Sequence, residues 1–324
     1  MRERGATALL NFSLPKLEIG AAIEWLVRWI IEHLSIIFDI IKNVLDTITG
    51  GFNDGLSAVP PIILILIFAL LIWLVTSKTT ALLSMVGLAL VWNIGLWPQM
   101  LSSLVLVVIS VIIALLIGIP VGILMTRSSK LEAAMRPVLD FMQTMPAFVY
   151  LIPAVMLFGI GVVPGIFATI IFAIPPPVRL TYLGITQVPE DMKEMAVAFG
   201  ASDRQVLRKV ELPLSMPSIM AGVNQCIMLG ISMVVIASMI GAGGLGAEVM
   251  RSVNRLDLAL GFESGLAIVI LAMVLDRVSR NIGSGKVTPS GRIINRVKQW
   301  RKARLEAQEA EAATVSEEVK ETEV

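Results

Sequence analysis

The chain has 324 residues, of which 56% are hydrophobic and 16% charged, with a net charge of +1 and a mean hydropathy of +0.83. An ordinary soluble domain carries about 25% charged residues, so this balance excludes a soluble enzyme of this length and a disordered chain, and points to a polytopic membrane protein. The near-neutral charge provides no overall field to recruit nucleic acid. One cysteine, Cys226, excludes an internal disulfide or a cysteine metal cluster, and one histidine, His33, argues against a histidine-based catalytic or metal site.

Residues 1–59 lack the short apolar core and small-residue cleavage site of a signal peptide, and are expected to form an extracytoplasmic segment. Within it, 21–48 reads as a long amphipathic helix. Its polar stripe is Glu24, Arg28, Glu32, Ser35, Asp39, Lys42 and Asp46, spaced by threes and fours, with Trp25, Trp29, Ile36, Ile37 and Ile40 pointing elsewhere. Glu24–Arg28 and Lys42–Asp46 are spaced to pair one turn apart. Such a helix lies in the membrane interface or against the bundle, or else binds a partner. Gly50-Gly51 and Asn53-Asp54-Gly55 are expected to end it in a flexible turn.

A membrane-spanning helix needs roughly 20 mostly apolar residues. Seven candidate runs follow: 60–76, 81–97, 102–126, a stretch from after Arg136-Pro137 to about 158, 162–174, 218–240 and 260–275. The second and fifth are short, and the fifth is expected to stop at Pro175-Pro176-Pro177. Lysine and arginine gather between the third and fourth runs (Arg127, Lys130, Arg136), between the fifth and sixth (Arg179, Lys193, Arg204, Arg208, Lys209) and after the seventh (Arg277, Arg280, Lys286). By the positive-inside rule those segments are cytoplasmic, which places the N-terminus outside and the C-terminus inside; Arg251 and Arg255 run against the pattern. The organisation read here is an N-terminal segment 1–59, a transmembrane domain 60–276 and a cytoplasmic tail 277–324. The tail is basic from 291 to 305, suited to anionic lipid, and then rich in glutamate.

The spans hold almost no charge in their inner parts; Asp140, Glu263 and Asp276 sit near ends. A proton- or ion-coupled carrier places an ionisable group at mid-depth, and a voltage sensor repeats arginine; neither pattern occurs. Gly283-Ser284-Gly285-Lys286-Val287 lacks the spacing and the final hydroxyl of a phosphate-binding loop. The chain is therefore a passive pore or draws energy from another subunit.

The loop 186–217 carries the one strong motif. Pro189, Glu190 and Asp191 suit a helix start, Gly200 suits the left-handed residue after a helix end, and Ser202 with Gln205 forms a capping box for a second helix. Pro213 and Pro217 are expected to keep that helix from fusing with the next span. The result is two short helices presenting Glu194, Arg204 and Arg208 outward.

This loop resembles the cytoplasmic "EAA" loop of ABC-importer permeases, in which E-A-A is followed after three residues by G and after nine more by I-x-L-P. Here the string is Glu194-Met195-Ala196, Gly200-Ala201, and Val210-Glu211-Leu212-Pro213, with every spacing kept and apolar replacements at Met195 and Val210. The likeness extends over roughly 56–280 to the glycine betaine/proline betaine branch of these permeases, through 104–150, the glycine-rich 241–246 stretch and the final span. It implies an all-α fold of the type I ABC-importer permease class in the cytoplasmic (inner) membrane. It also implies a permease homodimer, a partner ABC ATPase dimer that binds Mg-ATP, and an extracytoplasmic substrate-binding protein. On that likeness no catalytic residue, cofactor or metal belongs to this chain. Glu194, Met195, Ala196, Gly200, Ala201, Arg204, Val210, Leu212 and Pro213 form the ATPase-coupling loop.

Two further groups of residues are candidates. Gln143, Thr144, Phe148 and Tyr150 around Pro146 and Pro153, with Met233 in span six, either line the pathway or simply pack. Gly243, Gly244, Glu248, Arg251 and Arg255 follow span six, either as a plain loop or as an outer gate whose charges dock the binding protein. Quaternary amines are held by aromatic cages through cation–π attraction, and with so few aromatics the tight cage is assigned to the binding protein. A passive or stretch-gated osmolyte channel shares the uncharged spans but has no use for the coupling loop. Choline, carnitine, proline and methionine- or phosphonate-like solutes remain alternative substrates.

Overall fold

The computed structural model describes residues 19–283, and the basic and acidic parts of the tail lie outside them. All regular structure among the described residues is helical. Helix α1 (Ile19–Ser57) is longer than expected and runs straight through Gly50, Gly51 and Gly55. Each glycine costs a helix about 1 kcal/mol against alanine, but this end of α1 is packed. Leu45 and Thr49 are buried, Leu56 lies against the core, and the ring of Phe38 meets Phe158 edge-on with centroids 5.6 Å apart. The exposed Glu24–Arg28 pair forms at 2.8 Å; Lys42 points its Nζ toward Gly159 instead of pairing with Asp46.

Next come α2 (Pro61–Val75), α3 (Lys78–Asn93), α4 (Trp97–Arg127) and α5 (Ser129–Thr144). A 3₁₀ turn (Ala147–Tyr150) leads into α6 (Leu151–Phe158), then α7 (Val162–Ala173) and α8 (Pro175–Thr186). The remainder is α9 (Glu190–Ala198), α10 (Asp203–Val206), a π-helical turn (Leu207–Glu211), α11 (Leu212–Ser238), α12 (Gly244–Arg255) and α13 (Leu258–Gly283).

The expectation of seven spans is corrected. Four helical stretches among the described residues are long and apolar enough to cross a membrane: Trp97–Arg127, Val162–Thr186, Asp203–Ser238 and Leu258–Arg280. Two bent pairs, Ile23–Ser57 with Pro61–Val75 at 105° and Ser129–Thr144 with Ala147–Phe158 at 108°, raise the number to six at most. The apolar runs 60–76 and 81–97 become helices of 15 and 16 residues, each short of a full crossing. Pro146 breaks the fourth run: the residue before it, Met145, is extended, as steric clash with a proline ring demands. The proline triplet does the reverse of what was expected. Ile174 keeps helical angles (φ −64°, ψ −39°), all three prolines are buried, and the fifth run continues through them to Thr186. Proline's fixed φ is itself helical; only its missing N–H and ring contacts disturb a helix, and here they fall at the α7–α8 junction.

The core is a seam of small residues between α4, α8 and α11. Gly118 and Gly122 of α4 stand one turn apart; a Cβ on Gly118 would meet Pro177 Cγ at 3.1 Å, and one on Gly122 would meet the carbonyl oxygen of Val178 at 2.6 Å. On the other side of α8, a Cβ on Gly184 would meet Ser218 Cβ at 2.7 Å, and one on Gly222 of α11 would meet Pro177 Cα at 3.1 Å. Small residues let helix backbones touch where lipid supplies no hydrophobic driving force between them. The added methyl of Gly122→Ala would press on the Val178 carbonyl and on Thr181 Cβ at 2.8 Å, neither of which can swing away, and overpacking of this kind costs roughly 1–3 kcal/mol. In detergent Gly122→Ala is expected to lower the thermal midpoint by several degrees, whereas Gly55→Ala, with nothing within 4 Å, should leave it level or raise it.

Candidate functional site: the coupling helix and its anchors

Helix α8 turns at Gln187-Val188 and α9 begins after Pro189, with Glu190 and Asp191 in its first turn, where carboxylates complement the helix dipole. It stops at Gly200, whose φ of +79° lies in the left-handed region. Ala201 N–H donates to the Ala196 carbonyl at 3.1 Å and Gly200 N–H to that of Val197 at 2.8 Å, the paired bonds of a Schellman cap. Ser202 then starts α10: its N–H donates to Gln205 Oε1 at 2.8 Å. These caps are as the sequence reading expected.

No residue of α9 is buried. Glu194 is exposed, and so are the apolar side chains of Met192, Met195, Val197 and Phe199, the last at 86%. Arg204 and Arg208 also face outward, Pro213 is exposed, and Ala196, Ala201, Val210 and Leu212 are half-buried. An exposed helix with this many apolar side chains has the composition of a protein-docking surface.

The second helix is not separate from the next span, which corrects the expectation for Pro213 and Pro217. From Asp203 to Ser238 the chain is one helical rod. A π-turn makes this possible: Leu212 N–H reaches back to the Leu207 carbonyl, widening the coil just before Pro213. The extra residue accommodates a ring that would clash in a regular turn. Inside this turn, Glu211 is buried and forms an ion pair with Arg127 at the end of α4. Sequence reading passed over Glu211 because it sits in a motif defined by its neighbours.

The other candidates divide. Tyr150 and Met233 are buried and pack in one apolar cluster with Leu151, Ala154 and Ala168. Tyr150 donates its hydroxyl to the Met142 carbonyl at 2.5 Å. Thr144 donates to the Phe141 carbonyl at 3.1 Å, and Phe148 is exposed. Gln143 alone of the five faces a cavity of about 460 Å³, shared with Phe172, Arg179 and Gln225.

At the other end of the bundle Gly243 and Gly244 have φ of +72° and +68°, and a Cβ on Gly244 would meet Ser103 Oγ at 2.4 Å. That hydroxyl accepts the Leu245 N–H at 2.8 Å, so the glycines allow close approach to α4. Glu248 is buried and paired with Arg251 at 2.7 Å, which removes it as an outward docking charge; Arg251 and Arg255 are exposed. Among the described residues no group of three or more histidine, cysteine, aspartate or glutamate side chains stands close enough to hold a metal.

A bundle of apolar helices that suspends one exposed, capped helix between two stretches long enough to cross a membrane, Val162–Thr186 and Asp203–Ser238, defines a transport permease built to be driven from outside itself. Residues 114–282 match the family described as binding-protein-dependent transport system inner membrane component. The chain is 47% identical to the glycine betaine transport system permease protein OpuAB of Bacillus subtilis, over 83% of this chain and 95% of that one. It is 48% identical to the glycine betaine/proline betaine transport system permease protein ProW of Escherichia coli, over 79% and 73%. With the glycine betaine/carnitine transport permease protein GbuB of Listeria monocytogenes it shares 46% identity over 83% and 96%. Among solved structures, the MetNI methionine ABC transporter in an inward-facing conformation superposes with a TM-score of 0.53 at 20% identity, covering 59% of this chain and 94% of that one, a likeness of fold. The chain belongs to this family of inner-membrane components and has the type I ABC-importer permease fold. It is a permease subunit and not an enzyme; such a system includes a separate ATPase and a substrate-binding protein.

Removing Arg127 leaves the Glu211 carboxylate buried and unpaired, which costs roughly 1–3 kcal/mol. Arg127→Gln and Glu211→Gln are each expected to lower thermal stability, and the double variant less than the sum of the two. A double-mutant cycle on the purified subunit measures that coupling.

Proposed function

We propose that the chain is the pathway-forming subunit of an ATP-driven importer of glycine betaine, proline betaine and similar quaternary amines, working as a homodimer. The observation that carries the coupling role is that no residue of α9 is buried and that Phe199 after it is exposed. The substrate class is supported by the names of relatives identical at nearly half of the positions. The homodimer is supported by α11, which leaves Ala221, Gln225, Met228 and Ser232 exposed at steps of three and four, an unpartnered stripe on a central helix. Glu194, Arg204 and Arg208 supply charge for pairing with the ATPase, and the apolar side chains of α9 enter its groove. Closure of the ATPases then rocks the two permeases as rigid bodies and alternates access to the pathway. Mg-ATP binds the partner, and the basic part of the tail meets anionic lipid.

Reconstitution with the ATPase and binding protein, followed by a panel of betaines, choline, carnitine and proline, tests the substrate. In the same vesicles Gly200→Pro is expected to abolish uptake while leaving insertion intact, because proline cannot take φ of +79°. Normal uptake by that variant would remove α9 from the mechanism.

In this reading α9 faces the cytoplasm and the N-terminus lies outside. Native Cys226 is buried and gives no background. A cysteine at Gly55 is expected to react with an impermeant thiol reagent added outside spheroplasts, and one at Ser202 to react only after lysis. The opposite pattern would invert the topology.

A further inference from the structure

We infer that the cavity between α5, α8 and α11 is a transit site for a zwitterion, with Arg179 taking its carboxylate and Phe172 its quaternary ammonium. The inference rests on the substrate class proposed above. The sequence pattern assigns Arg179 to a loop. In the structure it lies inside the apolar stretch Val162–Thr186, seven residues before its end, or about 10 Å at 1.5 Å per residue. A charge at such depth is expensive and marks a substrate or ion route by default.

The cavity measures about 460 Å³, within the roughly 300–1,000 Å³ typical of small-molecule pockets. Its walls are chemically divided. Arg179 and the amides of Gln143 and Gln225 supply donors, while Phe172, Leu183 and Leu229 are apolar. Phe172 and Arg179 lie two helical turns apart along the same continued helix, and the Phe172 ring is steadied by Tyr150, centroids 6.3 Å away. A ring face attracts a quaternary ammonium, and a guanidinium with neighbouring amides holds a carboxylate.

The ion pair of Arg179 with Asp140 makes the site reversible. Asp140 is two-thirds exposed at 67%, and Arg179 is 39% exposed, so a competing carboxylate can reach the guanidinium. An arriving substrate replaces one carboxylate by another on the same arginine. The guanidinium stays paired throughout and the displaced Asp140 carboxylate, largely exposed, returns to water, so the exchange is nearly balanced in energy. The site therefore binds weakly, as a pathway requires. It lies on the helix that leads directly into α9, so its geometry shifts when the coupling helix moves.

The test uses proteoliposomes holding the permease, its ATPase and the loaded binding protein, with uptake of labelled glycine betaine and ATP hydrolysis measured together. Arg179→Gln is expected to lower uptake per ATP by about fivefold or more, through loss of a charge-assisted contact, and Arg179→Lys to recover part of it. Asp140→Asn, which removes the competitor and keeps the arginine, is expected to lower the betaine concentration at half-maximal uptake and to cost far less uptake per ATP than Arg179→Gln. Equal losses in Arg179→Gln and Asp140→Asn would reveal a structural strut and overturn the inference, as would unchanged uptake per ATP in Arg179→Gln. Should Arg179→Gln fail to assemble, Phe172→Leu decides: a fall in uptake per ATP is expected, and wild-type behaviour overturns the site. A wild type that imports no betaine overturns the substrate reading and this inference together; a wild type that imports it beside an unaffected Arg179→Gln overturns this inference alone.

Discussion

Helices α4, α8 and α11 touch almost backbone to backbone, and everything functional in the molecule hangs from that contact. In hydrocarbon the helices gain nothing by hiding apolar side chains from one another, since lipid is as apolar as leucine; close packing of small residues does the work. Gly118, Gly122, Gly184 and Gly222 provide it, with Pro177 and Val178 filling the contacts between them. The seam fixes where α8 ends and where α11 begins, and so fixes the two points from which the coupling helix is suspended.

That suspension is short and stiff. One end of α9 is a three-residue turn from α8; the other is a Schellman cap followed within two residues by a rod that continues to Ser238. The ion pair of buried Glu211 with Arg127 ties the same hinge to α4. A push on α9 is delivered to three packed helices at once, which is what a subunit with no energy source of its own needs in order to move as a body. The π-turn is the irregular element in this train, and it sits just ahead of Pro213 in the first turn of α11.

The two short helices of 186–217 and their caps were legible in the sequence because the signals are local: a glycine that must be left-handed, a serine and glutamine three apart, acidic residues after a proline. Misreadings arose where local rules met tertiary packing. Pro175-Pro176-Pro177 and Pro213 look like stops, but a helix junction and a π-turn absorb them, and the first of these concealed Arg179 inside a span. Gly50-Gly51 looks like a turn, yet packing of Leu45, Thr49 and Leu56 carries the helix through. Glu248 and Arg251 look like surface charges because both lie in a polar segment; only the approach of Gln99 on α4 shows that Glu248 points inward, where the amide nitrogen comes within 3.5 Å. Tyr150 and Met233 cannot be told from pathway residues by type alone, since packing and lining call for the same side chains.

The exposed flank of α9 also bears on the life of the subunit before assembly. A newly inserted permease without its ATPase holds Phe199, Met195 and Val197 out in water on a well-capped, persistent helix. Displayed apolar segments of this kind are the feature by which chaperones and membrane proteases sort clients, and they also drive aggregation. In the assembly proposed above, docking hides the segment. The surface assigned there to transmit force would then double as a stoichiometry gauge, marking orphan subunits for removal and sparing those that have found their motor.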